Sequence, residues 1–172
     1  LSTGGDANMR TLYVMRHTKS RWDQAQTPDH ERKLSPRGKR DARALGRALA
    51  EAESAPDLIL TSSARRATST ARRVARAWEK APDLRVESAL YGASPTTVVQ
   101  LLSALEDSVQ SVLVVGHNPD LEELVFFLGD RAIAMATGTV VRIDLPVEIW
   151  AELCLPAGGH IVHVWTTESL AP

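Results

Sequence analysis

Two short apolar runs, far apart in the chain, each lead into a histidine. Residues 12–15 (LYVM) run into Arg16 and His17, and residues 112–115 (VLVV) run into Gly116 and His117. A continuous aliphatic run of this length predicts a strand buried on both faces, as in parallel sheets covered by helices. In open α/β sheets the ligand crevice lies beyond the carboxyl ends of the strands. We therefore expect the two histidines to face one site.

Strand-like and helix-like segments alternate along the chain, which is typical of βαβ units. Ser35 and Pro36 mark a helix start, as N-cap and first helical residue. The sequence predicts an α/β fold with a mainly parallel central sheet, helices on both faces and an antiparallel C-terminal portion. The expected further strands are 57–61, 84–86, 139–145, 149–155 and 160–166, and the expected helices are 36–52, 64–80, 95–105 and 119–128.

The length of 172 residues suits one domain, which we place at residues 9–172. Residues 1–8 are small and polar, and we interpret them as a disordered extension or a cloning remnant. The single cysteine, Cys154, is expected to be a buried core thiol. The sequence has no apolar stretch near the roughly 20 residues that a membrane span needs. A cytoplasmic protein without membrane association is therefore expected.

Charge is distributed unevenly, although the net charge is −1. Residues 1–86 carry 18 Lys and Arg against 10 Asp and Glu, whereas residues 87–172 carry 2 against 11. The low net charge argues against general nucleic-acid binding. The basic half would suit an anionic substrate, or it reflects helices with solvated basic faces.

The predicted helix at 64–80 begins with two arginines, Arg65 and Arg66. Cations are disfavoured at a helix N-terminus by the helix dipole. The pair therefore indicates an anion shared with the free backbone amides, unless the side chains simply extend into water.

The segment at residues 18–33, which follows the first predicted strand, shows no periodicity, and loops of that length are often lids or binding loops. We expect His30, in this loop, to be solvated.

Four ordered segments resemble the histidine phosphatase superfamily, and within it the short bacterial SixA-like phosphohistidine phosphatases. The residues after the first strand resemble the R-H-G signature. The following segments resemble its helix start, its R-A-x-x-T-A motif and its second-histidine motif. In chain order the matching segments are 15–22 (MRHTKSRW), 34–38 (LSPRG) with Ala42, 61–67 (TSSARRA) with Thr70 and Ala71, and 115–118 (VGHN).

The resemblance implies a role for each matched residue. His17 corresponds to the phosphorylated nucleophile, and Arg16 to a phosphate ligand. The motif selects Arg66, and not Arg65, as the second phosphate arginine. His117 corresponds to the histidine that binds the phosphoryl oxygens and stabilises the transition state. Such a preorganised set of donors is the usual main source of catalysis in phosphoryl transfer.

Two departures from the family pattern bear on the backbone and the substrate. Thr18 replaces the signature glycine, so we expect no positive φ there. Larger members carry a glutamate acid after the third strand, whereas this chain has Leu90-Tyr91-Gly92. An alkoxide leaving group needs a proton, but imidazole leaves as a far weaker base. We therefore expect phosphoramidates or aryl phosphates to be better substrates than alkyl phosphates.

The expected function is that of a metal-independent phosphatase that works through a phosphohistidine intermediate, acting on phosphohistidine in proteins. Two alternatives stay open. One is a phosphomonoesterase for a small metabolite or nucleotide, and the other is a weak phosphate or phosphoprotein binding module. His160 and His163 lie three apart in a predicted strand, which puts them on opposite faces, so we expect no metal site. No cofactor motif is present.

Overall fold

A six-stranded mixed sheet forms the centre of the protein, in a computed structural model that describes residues 9–22 and 25–170. Its order is β3-β2-β4-β1-β5-β6. The first four strands are mutually parallel, and β5 and β6 continue the sheet in antiparallel pairs. The strands are β1 Arg10–Arg16, β2 Leu58–Ser62, β3 Asp83–Glu87, β4 Ser111–Gly116, β5 Val140–Leu145 and β6 His160–Trp165. The predicted α/β class and sheet arrangement are confirmed.

Helices cover both faces of this sheet. Helices α1 and α2 pack on one face, with the core around Met15 and Leu45, and α3 and α4 pack on the other, around Leu12 and Leu124. Alternate residues of β1 supply the two cores, because successive side chains of a strand point to opposite faces. The helices are α1 Pro36–Ala52, α2 Arg65–Ala75, α3 Pro95–Ser103 and α4 Asp120–Gly129.

Helix α1 begins where the sequence predicts. The Ser35 hydroxyl accepts the Gly38 N–H at 3.0 Å, and Pro36 occupies the first turn. Gly38 is needed at this point, because a Cβ there would overlap the Lys19 carbonyl oxygen. This close approach ties the start of α1 to the segment that follows His17. Helix α2 ends five residues before its predicted limit at residue 80.

The predicted strand at 149–155 is wrong. Strand β6 pairs directly with β5, and the segment between them forms a short 3-10 helix, Trp150–Glu152. Trp150 is fully buried, and its indole N–H donates to the Val109 carbonyl at 2.6 Å. The apolar residues of this segment therefore fill the core from a connection instead of pairing in the sheet. Cys154 is exposed, which also corrects the expected core thiol, because Leu153 is the neighbour that turns inward.

Three further expectations concern the backbone at Thr18, residues 1–8 and membrane-spanning helices. Within the described residues, Asp130 alone among the non-glycine residues has a positive φ, so Thr18 does not need one. Residues 1–8 lie outside the described residues, so their assignment as an extension stays a prediction. No helix in the described part of the chain combines the length and apolarity that crossing a membrane requires.

Candidate active site

His17 and His117 face one another at the carboxyl ends of adjacent strands. Strands β1 and β4 pair in parallel with Arg16 opposite Gly116, so each histidine is the first residue after its strand. The centroids of the two imidazole rings are 5.1 Å apart. The proximity predicted from the two apolar runs is therefore present.

Hydrogen bonds fix the protonation of the His17 ring. Its Nδ1–H donates to the Thr18 carbonyl at 2.8 Å, and its Nε2 accepts from the Arg66 Nε–H at 3.2 Å. The side chain is 6 % exposed, and burial lowers its pKa to about 3. His17 is thus neutral near pH 7, with an unprotonated Nε2 directed at an arginine. An imidazole in this state is a competent nucleophile.

The His117 ring is bonded through Nε2, whereas the His17 ring is bonded through both nitrogens. Its Nε2 lies 2.8 Å from the Ser62 hydroxyl oxygen, which itself accepts the Ala64 N–H. In the tautomer in which the Ser62 hydroxyl donates to Nε2, the ring proton lies on Nδ1. That Nδ1 is buried without a partner among the described residues. Burial, followed by the charge of Arg66, lowers the His117 pKa to about 4.

Arg16 is held at the end of β1 by a backbone carbonyl. Its Nη1 donates to the Met135 carbonyl at 2.9 Å, and Met135 is fixed in turn because its N–H donates to Glu122. The Arg16 Nε is buried and meets no acceptor within the part of the chain that the structure describes. Burial lowers the Arg16 pKa, but arginine stays charged in proteins. A second donor without a partner thus lies beside the histidine pair.

Of the two arginines at the start of α2, only Arg66 enters the site. Arg66 is 5 % exposed, whereas Arg65 is exposed to solvent. Besides its Nε contact with His17, Arg66 donates from Nη1 to the Asp29 carbonyl at 2.7 Å and from Nη2 to Asp29 Oδ2 at 3.0 Å. These bonds hold the guanidinium group beside the His17 ring.

Asp29 and Tyr91 are site residues that the sequence analysis did not identify. The Tyr91 hydroxyl donates to Asp29 Oδ2 at 2.7 Å, and the Tyr91 ring lies edge-on to His117 with the centroids 5.6 Å apart. The hydrogen bond from Tyr91, together with Arg66, lowers the Asp29 pKa to about 2. Tyr91 belongs to Leu90-Tyr91-Gly92, the stretch that corresponds to the missing family acid, and directly precedes the acid position at Gly92, so this neighbourhood was a usable signal. Asp29 belongs to an aperiodic loop and gave none.

The loop predicted at 18–33, which the structure describes except for residues 23 and 24, contributes one wall of the site. Its residues 29–31 make a 3-10 helix, from which His30 reaches the Ser63 hydroxyl at 2.9 Å and meets Tyr91 edge-on. His30 is thus part of this wall, and not the freely solvated residue that we expected. The Arg32 guanidinium lies 3.6 Å from the ring centroid of Trp22, which is 80 % exposed.

A groove of about 330 Å³ opens beside the Arg16 and His17 side chains. Trp22 and Arg32 line it, together with two further basic side chains and two carboxylates. The remaining charged residues of its lining are Lys19, Arg37, Asp41 and Glu168. Asp41 forms an ion pair with Arg37 at 3.5 Å. Among the described residues, no carboxylate makes a hydrogen bond to His17 or His117.

Metal ligation finds no support in the described ranges, 9–22 and 25–170. They contain no group of three His, Cys, Asp or Glu side chains placed to hold an ion. His160 and His163 lie at the outer edge of the sheet on β6, far along the sheet order from β4. The site at β1 and β4 is instead assembled from nitrogen donors, which suit an anion.

Comparison with known proteins is consistent with this arrangement. Residues 12–91 match the family model of the histidine phosphatase superfamily, branch 1. An uncharacterised Mycobacterium tuberculosis protein, Rv1276c, is 40 % identical over 125 residues, which cover 70 % of this chain and 76 % of that protein.

Two solved structures are similar to this chain over most of its length. A protein of Nakamurella multipartita assigned as the phosphohistidine phosphatase SixA superposes with a TM-score of 0.80 and 26 % identity, over 92 % of this chain and 96 % of that one. A protein of Agrobacterium tumefaciens with the same assignment gives a TM-score of 0.75 and 25 % identity, over 91 % and 98 %.

Proposed function

The chain belongs to the histidine phosphatase superfamily, in its SixA-like branch, and is a phosphatase; on that basis we propose that it hydrolyses phosphohistidine in proteins through a phosphoenzyme on His17. The proposed phosphate ligands are Arg16, Arg66 and His117. No metal or other cofactor enters the proposed reaction.

One observation carries the proposal. Arg16 Nε is a buried donor and His117 Nδ1 a buried ring nitrogen, and neither has a partner among the described residues. The His117 ring lies 5.1 Å from the His17 ring between centroids, and the charge of Arg16 acts on the His17 ring. An unsatisfied buried donor costs about 1–3 kcal/mol, so such groups bond an ordered water or a ligand, and a phosphoryl oxygen can take the place of the water. Donors converging on a nucleophile favour a tetrahedral oxyanion, because each can bond a different oxygen.

The proposed reaction has two displacements. In the first, the lone pair of His17 Nε2 attacks phosphorus, and the P–N bond of the substrate phosphohistidine breaks with its electron pair going to the substrate ring. That ring carries a proton on its other nitrogen, so it leaves as neutral imidazole. Arg66 Nε gives up its bond to Nε2 and turns that donor to a phosphoryl oxygen. In the second step water attacks phosphorus and the P–Nε2 bond breaks. Inorganic phosphate leaves, the proton of water goes to solvent, and neutral His17 is restored.

The state of Asp29, the carboxylate that binds Arg66, supports the choice of substrate. Asp29 carries a pKa of about 2 and is therefore ionised near pH 7, with no proton to give to a leaving group. Its oxygens accept bonds from Tyr91, Arg66 and Arg32. Tyr91 itself has a raised pKa because of its hydrogen bond to Asp29. Leaving groups that need little protonation, such as imidazole, fit this site better than alkoxides.

The access to the site supports a protein as the substrate. The groove reaches His17 past the exposed indole of Trp22, which offers a large apolar surface at the mouth. Aromatic and arginine side chains are enriched at protein interfaces. The stacked Trp22 and Arg32 pair is therefore a suitable contact for a polypeptide that presents its phosphohistidine at the end of the groove.

A substrate panel tests the proposal. Initial rates would be compared for a phosphohistidine peptide, the matched phosphoserine peptide, a sugar phosphate and an aryl phosphate. We expect kcat/KM for the phosphohistidine peptide to exceed that for the two alkyl phosphates by about 100-fold, the size of a missing general-acid contribution. Preference for the sugar phosphate would instead indicate a metabolite phosphatase. Failure to hydrolyse even the aryl phosphate would indicate a binding module.

A further inference from the structure

Four arginines line a groove between helices α1 and α2. Arg43 and Arg47 come from the middle of α1, and Arg73 and Arg76 from the end of α2, around a space of about 330 Å³. The two helices can approach closely because α1 carries Gly46 between its two arginines. A Cβ at Gly46 would lie 3.0 Å from the Val74 carbonyl oxygen. The groove is thus built by the helix packing that also forms the core.

The four arginines of the groove are not neutralised by ion pairs in the part of the chain that the structure describes. Within the described ranges, no carboxylate forms an ion pair with any of the four, whereas Arg37 and Arg142 each pair with acidic residues. Arg73 donates from Nη1 to the Ser69 carbonyl, but its Nε is buried with no acceptor among the described residues. Burial, followed by the charges of Arg43 and Arg76, lowers the pKa of Arg73.

Ordinary explanations for surface arginines cover only part of this cluster. Basic residues at the C-terminal end of a helix stabilise its dipole, which accounts for Arg73. That effect does not reach Arg43 and Arg47, which lie in the interior of α1. A solvated basic face accounts for Arg40 and Arg72, which are exposed on the same helices but outside the groove. Convergence of four cations on one concavity indicates an anionic ligand.

The groove is separate from the phosphatase site. The two grooves share no lining residue. Arg66 lies in the first turn of α2, and Arg73 lies seven residues later, which is about 10 Å along the helix axis. A ligand bound between Arg43 and Arg73 would therefore leave His17 open to its substrate.

We propose that this groove binds a small oligophosphate anion, such as inorganic triphosphate or the phosphate chain of a nucleoside triphosphate. Four arginines match the charge of such a chain, whereas a single phosphate would leave about half of their charge without a counterion. The planar guanidinium groups suit two-point bonding to phosphate oxygens. The volume is at the lower end of the range for small-molecule sites, about 300–1,000 Å³, and fits the chain better than a folded partner.

Calorimetric titration with sodium triphosphate and with ATP tests the proposal. The double variant Arg43→Gln/Arg73→Gln removes one arginine from each helix, and Arg47→Gln/Arg76→Gln is an independent second pair. The double variant Arg40→Gln/Arg72→Gln is the matched control, with the same charge change on the same helices. Arg16→Ala separates anion binding at the phosphatase site from binding at the groove. Circular dichroism would verify the folding of each variant.

We expect triphosphate binding to weaken at least about tenfold in either groove variant and to stay within about threefold of the wild type in the control and in Arg16→Ala. Equal affinity for ATP and triphosphate identifies the phosphate chain as the ligand, and tighter ATP binding identifies a nucleotide. Loss of binding in Arg16→Ala, or unchanged binding in both groove variants, would overturn the proposal. Tighter binding of a hexaglutamate peptide than of triphosphate would overturn it as well.

Discussion

The two arginine-rich regions of this molecule differ in how their charges are held. In the phosphatase site, Arg66 is 5 % exposed and all its nitrogens have protein partners. In the groove between α1 and α2, Arg43, Arg47 and Arg76 are exposed and have no ion-pair partner among the described residues. A buried charge needs fixed partners in the protein, whereas an exposed charge is stabilised by hydration.

This difference matches two kinds of anion recognition. Fixed donors around His17 have one geometry, so they suit the short-lived trigonal arrangement of a phosphoryl group in transfer. Exposed arginines along two helix surfaces can adapt to a longer phosphate chain, at the cost of ordering their side chains on binding. Arginine number alone therefore does not define an active site, because burial and partner bonds distinguish the two regions.

The largest expected effect follows from removing His17, the proposed nucleophile. His17→Ala should lower kcat for an aryl phosphate by about 10⁴-fold or more, because neither displacement can then occur. It should also leave no acid-labile, alkali-stable phosphoenzyme after rapid quenching with labelled substrate. The control is His160→Ala, which changes an exposed histidine on β6. Phosphoenzyme formation in the His17 variant would refute the assigned nucleophile.

The second-largest expected effect comes from replacing arginine by lysine, which keeps the positive charge, once in each of the two regions. Arg66→Lys keeps the charge but cannot bond His17 and both Asp29 oxygens at once. We expect kcat/KM to fall about 100-fold, the loss of one preorganised donor. Arg73→Lys in the groove should leave kcat/KM within about twofold. If lysine were tolerated equally at both positions, the distinction between fixed and adaptable cations would be lost.

A third effect follows from the two buried histidines. Their folded-state pKa values, about 3 for His17 and about 4 for His117, lie below the unfolded value of about 6.5. As pH falls below 6.5 the unfolded state takes up protons first, so the native state loses stability on the way down toward pH 4. The loss at pH 5 is about 2 kcal/mol for each such histidine.

His17→Asn provides the measurement. Asparagine can still donate to the Thr18 carbonyl but does not titrate. Urea unfolding at pH 7.5 and pH 5.0 should show a loss of stability about 2 kcal/mol smaller in the variant than in the wild type. Equal losses would mean that His17 titrates normally, which would contradict its burial as a neutral nucleophile.

The sequence predicted the two histidines and failed on the wall beside them, for physical reasons. A strand that ends in a histidine places that residue at the edge of a parallel sheet, so the apolar runs alone located the pair. Asp29 and His30 enter the site from a loop without periodicity, and their positions depend on contacts with Ser63 and Tyr91 that are distant in sequence.

A second failure concerns the apolar run at 149–155. A short apolar run does not distinguish a strand from a core-filling connection. Here the indole of Trp150 takes a backbone acceptor at Val109, and β5 already has β6 as its neighbour. Tertiary contacts thus decided the conformation of this segment, and with it the exposure of Cys154.

The smallest effect tests whether the groove arginines repel one another in the absence of ligand. Arg73 lies beside Arg43 and Arg76 with its Nε unpartnered within the described structure, so its charge opposes folding. Arg73→Met keeps the apolar stem and removes the charge. The free energy of unfolding should rise by about 0.5 kcal/mol at low salt, the size of a like-charge pair on a helix surface. The gain should shrink in 0.5 M salt, at a screening length of about 4 Å.

Arg72→Met, a change outside the groove, should show no such salt-dependent gain. Destabilisation by Arg73→Met at low salt would instead mean that its bond to Ser69 outweighs the repulsion, and the groove would then differ less from the phosphatase site than their exposures indicate.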